Sequence, residues 1–225
     1  MNVILQYLSD LEANNNIEWY HSNKEWHQEA YAEFERVIQQ LIASIGQTDA
    51  SIIYNVPKDL IFKLVRDTRF SSDKSPYNPK FRAHISSAGK LPIPCGYFLS
   101  IAPSNRSFLG GGLFTSIFKN ATKMVRDYIV IHGKGFETII KDKIFSSYFS
   151  VKGEALKNVP KGYDETHPQA EYLKNKSWYL EYPVSDSLLE NRERFIEQAT
   201  QIFLCMKPFN DYLNEALNNF VMPSR

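Results

Sequence analysis

Cysteine is scarce in this chain of 225 residues, which carries only Cys95 and Cys205. They fall far apart, one in a strand-like run and one in a helix-like run. Both read as buried thiols of a reducing compartment, and a disulfide stays open because sequence supplies no distance between them. No Cys-x-x-Cys exists, and no pair among His21, His27, His84, His132 and His167 has the i,i+4 spacing that sets two ligands on one helix face. The metal-site motifs are therefore missing, and nothing implies a cofactor. There is no surplus of charge of either sign. A formal net charge of +1 does not fit a dedicated nucleic-acid binder, although it allows a local basic patch. No apolar run approaches the roughly 20 residues of a membrane span. The start has no basic segment, and Asp10 and Glu12 interrupt it early. The expectation is a cytoplasmic protein with no membrane partner. The Gly-x-Ser-x-Gly elbow, the phosphate loop and the GxGxxG turn are missing too, as are repeats and low-complexity segments.

What is present is charge of both signs crowded into one stretch. Residues 66–77 bring together Arg66, Asp67, Arg69, Asp73, Lys74 and Tyr77, interleaved with turn-forming serines and Pro76. The apolar, partly β-branched run at 60–65 predicts a strand leading into Arg66. Alternation along it sets Phe62, Leu64 and Arg66 on one face. A guanidinium at the end of an apolar row needs a partner or an anion, and Asp67 or Asp73 would be that partner. Ser71, Ser72, Asp73 and the Ser75-Pro76 step turn the chain into a loop. A second alternation follows, with Phe81, Ala83 and Ile85 facing one way and Lys80, Arg82 and His84 the other. Two readings stand. In one, Arg66 and Arg69 each tie to an Asp and hold the loop on the sheet. In the other, Arg66, Arg69, Lys74, Lys80 and Arg82 outnumber the two acids and form a pocket for carboxylate or phosphate, which forked arginines suit.

The run at 66–77 resembles the signature of the DUF2461 family, whose members have no established activity. Other stretches agree in order: residues 14–20 with their three asparagines and Trp19-Tyr20, residues 96–99, Gly110-Gly111-Gly112-Leu113 followed by Arg126, and Pro160-Lys161-Gly162-Tyr163 with His167-Pro168. The resemblance covers nearly the whole chain, and the central run is its specific part. One departure is Asn78, where the family pattern has lysine. The resemblance implies a fold and a focus, not an activity.

Along the chain, Val3, Leu5, Tyr7, Leu8 and Leu11 predict a short amphipathic helix that ends at the asparagines. Ile17, Trp19 and Tyr20 read as an aromatic latch or as a platform for a flat ligand. Ser22 and Glu25 fit a capping box for a long helix that Gly46 stops. Trp26, Ala30, Phe34, Val37, Ile38, Leu41, Ile42 and Ile45 make its buried stripe. Strands are predicted at 51–56, 81–85, 95–102, 148–153 and 178–182, with Trp178, Leu180 and Tyr182 inward. A hairpin turns at 103–106. Gly110 to Gly112 read as a phosphate cradle or as a close backbone approach. A helix at about 116–131 carries Arg126 off its apolar stripe, where it would complete an anion pocket. Gly133 and Gly135 then break the chain before a short helix. Ser187 and Glu190 suggest a second capping box, and Pro208 interrupts the helix that follows. Strands joined without intervening helices argue for an antiparallel sheet.

The fold expected is therefore one α+β domain over residues 1–225: a mostly antiparallel sheet with the long N-terminal helix and the C-terminal helices packed on it. The expected partner is a small anionic ligand, phosphorylated or carboxylated. Arg66 and Arg69 would touch it, Lys74 and Arg82 would attract it, and Asp67 and Asp73 would orient the arginines. An enzyme with one of those Asp residues as general base is an alternative. A third reading is an interaction protein in which the charges are purely structural and no cavity exists. Oligomeric state stays open.

Overall fold

Alternation at 81–85 and 97–101 builds the middle of the molecule. In the computed structural model, which describes residues 1–223, these runs become β1 (Phe81–Ile85) and β2 (Tyr97–Ile101). With β3 (Ser107–Leu113) and β4 (Trp178–Val184) they form an antiparallel sheet in the order β1-β2-β3-β4. The β2–β3 turn relies on Ser104 and Asn105 in left-handed conformations, φ 65° and 56°, which Asn accepts more readily than most residues.

Register decides what each face carries. Arg82 pairs with Ser100 and His84 with Phe98. Ser100 in turn pairs with Phe108, and Phe98 with Gly110. Gly110 faces Glu181. Because side chains alternate, all of these share one face. Phe81, Ala83, Ile85, Tyr97, Leu99 and Ile101 take the other, which belongs to the core.

The long helices pack on that core face. The chain begins with α1 (Asn2–Ala13), α2 (Ile17–Ser22) and α3 (Lys24–Ile45). The apolar stripe of α3 buries Ala30, Phe34, Val37, Ile38 and Leu41. The last long helix, α9 (Arg192–Ala216), lies on β3 and packs against α3. Gly111 permits the approach: a Cβ there would stand 3.0 Å from Met206 Sδ and 3.1 Å from Asn210 Oδ1. Two α9 amides then clamp the sheet. Asn210 accepts from Gly112 N at 2.7 Å and donates to the Gly96 carbonyl at 3.0 Å, while Asn214 brackets the Cys95 backbone at 2.7 and 3.0 Å. Between lie α4 (Pro57–Leu60), α5 (Lys119–Lys141), α6 (Lys143–Tyr148), α7 (Ala170–Leu173) and α8 (Asp186–Leu189). The expected α+β architecture, an antiparallel sheet with helices from both ends of the chain packed on it, is what forms. The long N-terminal helix is α3, at 22 residues; α1 has 12.

Several local expectations are corrected. Residues 51–56 are not a strand. Asp49 accepts from Ser51 N and Oγ and winds a single 3-10 turn, after which Pro57 opens α4. The run at 60–65 makes only isolated bridges, Ile61 to Ala83 and Val65 to Tyr77. Residues 148–153 likewise reach the sheet only where Lys152 bridges Tyr179. Ser22 does not cap α3, because it still belongs to α2, whose own cap is Asn16 accepting from Trp19 N at 2.8 Å. Ser185 and Asn191, not Ser187, cap α8 and α9. The helix after β3 runs on past Gly133 and Gly135 with a kink at His132 (φ −113°, ψ 25°). Helix α9 continues through Pro208, at the cost of one backbone hydrogen bond. Both thiols are free, Cys95 buried and Cys205 half-buried.

Candidate functional site

The charged stretch is a self-contained loop. Val65 and Tyr77 close its base as an antiparallel bridge, reinforced by Arg66 N donating to the Pro76 carbonyl at 2.9 Å. Tyr77 anchors that base. Its ring stacks on Tyr20 at 4.2 Å, and its backbone exchanges two hydrogen bonds with the Asn15 amide, at 2.9 and 3.1 Å. Trp19 packs beside Tyr7 and Trp26 in the same cluster. The aromatics at 17–20 are thus a latch rather than a platform.

Inside the loop the charges spend themselves on one another. Arg69 makes a forked pair with Asp67, 2.9 Å from Nε and 2.6 Å from Nη2, although the two side chains are 77% and 59% exposed. Arg66 is paired with Asp73 and reaches Ser71 Oγ at 3.4 Å. Lys74 donates to the Thr68 carbonyl at 3.0 Å. Hydrogen bonds from Ser75 and then Arg66 hold the Asp73 carboxyl well below the usual carboxylate range, and Arg69 does the same for Asp67. Carboxylates held ionised in this way are poor general bases near neutral pH. The expectation of free guanidinium forks at Arg66 and Arg69 is corrected: carboxylates within the loop occupy both.

Arg126 lies elsewhere, on α5. Its Nε and Nη2 both donate to the Asn175 carbonyl, at 3.2 and 2.8 Å. The structure therefore gathers Arg66, Asp67, Arg69, Asp73 and Lys74 in one loop, sets Tyr77 at its base, and places Arg126 in a separate contact. The Gly110–Gly112 run is inside β3, where it serves close approach and not a phosphate cradle. Among the described residues, no group of three His, Cys, Asp or Glu side chains is placed to hold a metal ion.

Arg82 is different. It lines a cleft of about 540 Å³ on the face of the sheet away from the core, its open face. Phe62, Phe98, Phe108, Phe114 and Phe118 make most of its wall, with Lys80, His84, Lys90, Ser100 and Glu181 at intervals. Arg82 has no carboxylate partner among the described residues. Among the described residues its one side-chain hydrogen bond is a long one, 3.4 Å to the Lys63 carbonyl; its Nε has none, and its Cζ sits 5.6 Å from the Phe62 ring centre. Its cross-strand neighbour Ser100 is 1% exposed, and the Ser100 hydroxyl also lacks a partner. Two adjacent buried polar groups are thus left unsatisfied on one strip of sheet, where such groups ordinarily find partners. Lys80 extends the positive end. Burial lowers its pKa, and repulsion from Arg82, Arg106 and Arg66 adds to that. Arg66, at the base of the charged loop, is near enough to add to the positive field at Lys80. His84 is pushed down to about 4 by burial, against the opposing pull of the Leu91 and Lys90 backbone, so it is neutral at pH 7. Glu181 is held by Lys152 at 2.8 Å.

Sequence reasoning had Arg82 and His84 on the correct face but missed the cleft. Its walls come from segments as far apart as Phe62 and Glu181, and the alternation of Tyr97, Leu99 and Ile101 was the one signal that set Phe98 and Ser100 opposite the core. A family model described as "Conserved hypothetical protein (DUF2461)" matches residues 3–212. Comparison with curated proteins finds no match, and neither does comparison with solved structures.

Proposed function

The chain belongs to the DUF2461 family, whose description assigns no activity, and we propose that its function is to bind a small anionic ligand in the cleft on the open face of the sheet. The observation that carries this reading is the pair Arg82 and Ser100, cross-strand neighbours whose Nε and Oγ are buried without partners. A buried guanidinium Nε–H and a buried hydroxyl left without partners cost stability. An oxyanion seated between them, reached by a small turn of both side chains, would satisfy both, with Lys80 adding long-range attraction. The direct contact is then Arg82, while Arg66, Asp67, Arg69, Asp73 and Lys74 shape the nearby loop. A phosphate or a carboxylate fits this chemistry equally well. The free thiols and the buried Cys95, pushed up to about 12 by burial, accord with a reducing, cytoplasmic setting. No helix among the described residues is long and apolar enough to cross a membrane.

Calorimetric titration with inorganic phosphate and with acetate tests the reading. Binding to the unaltered protein should weaken by about 10- to 100-fold in Arg82→Ala, the loss expected when a hydrogen bond to a charged group is removed. Equal affinity in both proteins would overturn it.

A further inference from the structure

The outward positions of a half-covered antiparallel sheet are ordinarily polar. On β2 and β3 they include Phe98 and Phe108, whose rings stack at 5.8 Å with 26° between planes. Phe114 joins them from the segment after β3, 5.5 Å from Phe98 and stacked on Tyr179 at 4.7 Å. Gly110 makes room for it, since a Cβ at that position would come within 2.6 Å of the Phe114 ring. Phe62 closes the row at 6.1 Å from Phe98 and carries the Arg82 guanidinium beside it. Phe98 is therefore the hub of a ring-lined wall that ends at an unpaired cation. A concave, mostly apolar cleft with a few convergent polar groups is the ordinary form of a small-ligand site. Charge complementarity with Arg82 and Lys80 states what one end of the occupant must be.

We infer that the occupant is a planar aromatic oxyanion, a flat ring lying against Phe98 and Phe108 with its phosphate or carboxylate on Arg82 and Ser100. This rests on the anion-binding reading above and narrows it. A flat ring matches the stacked walls face to face and loses little conformational freedom on binding. A flexible chain of similar area loses rotamer freedom and gains no stacking. Phe98 and Phe108 are then the specificity-determining residues, and Arg82 is the anchor.

Matched probes test this by calorimetry: phenyl phosphate against cyclohexyl phosphate, benzoate against cyclohexanecarboxylate, and inorganic phosphate alone. The flat member of at least one pair should bind about tenfold tighter than its saturated counterpart, the scale of one aromatic stack. Whichever pair shows the preference identifies the anion. Phe98→Leu and, independently, Phe108→Leu should reduce that preference, read as the ratio of the two affinities within a pair. Equal affinities within both pairs, or a preference that survives both substitutions, would overturn the aromatic inference while anion binding through Arg82 stands. If no probe, inorganic phosphate included, binds in a way that depends on Arg82, the anion reading falls and the aromatic inference with it.

Discussion

The loop at 66–76 and the open face of the sheet both collect positive charge, and they dispose of it in opposite ways. In the loop every guanidinium meets a carboxylate a few residues away, Arg66 with Asp73 and Arg69 with Asp67. These pairs are local, exposed and closed upon themselves, and Phe70 beside them is 96% exposed. On the sheet Arg82 is half-buried against Phe62, far in sequence from the other rings of the cleft, and unpaired. A cluster of charges is conspicuous in a sequence because its members are adjacent, and adjacency is also what lets them neutralise one another. A lone arginine among aromatics is inconspicuous, and for the same reason keeps its hydrogen-bonding capacity.

Substitutions can break or sharpen this contrast. The largest effect is expected at Gly112, which holds β3 in place beneath the cleft at φ +90°, where a Cβ would approach Trp178 O to 2.4 Å. Gly112→Ala should cost about 3 kcal/mol or more, through backbone strain plus the clash, measured by denaturant unfolding. A much larger change in the loop, Phe70→Ser, should leave the unfolding midpoint where it was.

Next comes pH. Burial lowers His84 from 6.5 to about 4. Between those values the unfolded chain takes up a proton that the native one refuses, so stability falls as pH drops through this window. The slope from this residue is about 1.4 kcal/mol per pH unit, flattening above 6.5. His84→Gln should remove it. Asp73 acts with the same sign in a lower window. Its pKa is depressed below 3.8, so its contribution is intact above that value and is lost only at lower pH. The loop should therefore be silent across the range in which the cleft responds, and unfolding curves at pH 7, 6 and 5 on the two variants His84→Gln and Asp73→Asn read the difference.

Ser100→Ala gives a smaller effect and one of mixed sign. Removing a buried hydroxyl without a partner should raise stability by about 1 kcal/mol, while phosphate affinity falls about tenfold, the lower end for a hydrogen bond to a charged group. A loss of stability with unchanged binding would mean that the hydroxyl has a structural partner. Smallest of all, Arg69→Ala should change neither phosphate affinity nor unfolding midpoint, since its forked pair is exposed to water.

The central strands were legible because Phe81, Ala83, Ile85 and Tyr97, Leu99, Ile101 alternate against polar or half-exposed neighbours, and the register then follows from one hairpin. Helix α3 was legible from its apolar stripe. The runs at 51–56, 60–65 and 148–153 have strand composition but lack a neighbour to pair with along their length, so side-chain caps such as Asp49 and single bridges decide their shape instead. The charged loop was visible as a concentration of residues, and its ion pairing was one of the two readings it allowed. The cleft was not visible as a unit, because Phe62, Phe98, Phe108 and Phe114 meet only when the sheet forms and Gly110 admits the last of them.

The most direct test observes the arginines themselves. Resolved Nε–H resonances of Arg66, Arg69 and Arg82, followed by NMR while inorganic phosphate is added, separate the two regions in one experiment. Saturable movement of the Arg82 signal with Arg66 and Arg69 stationary is the predicted result. Movement of Arg66 or Arg69 with Arg82 unaffected would place anion binding in the loop and contradict the account.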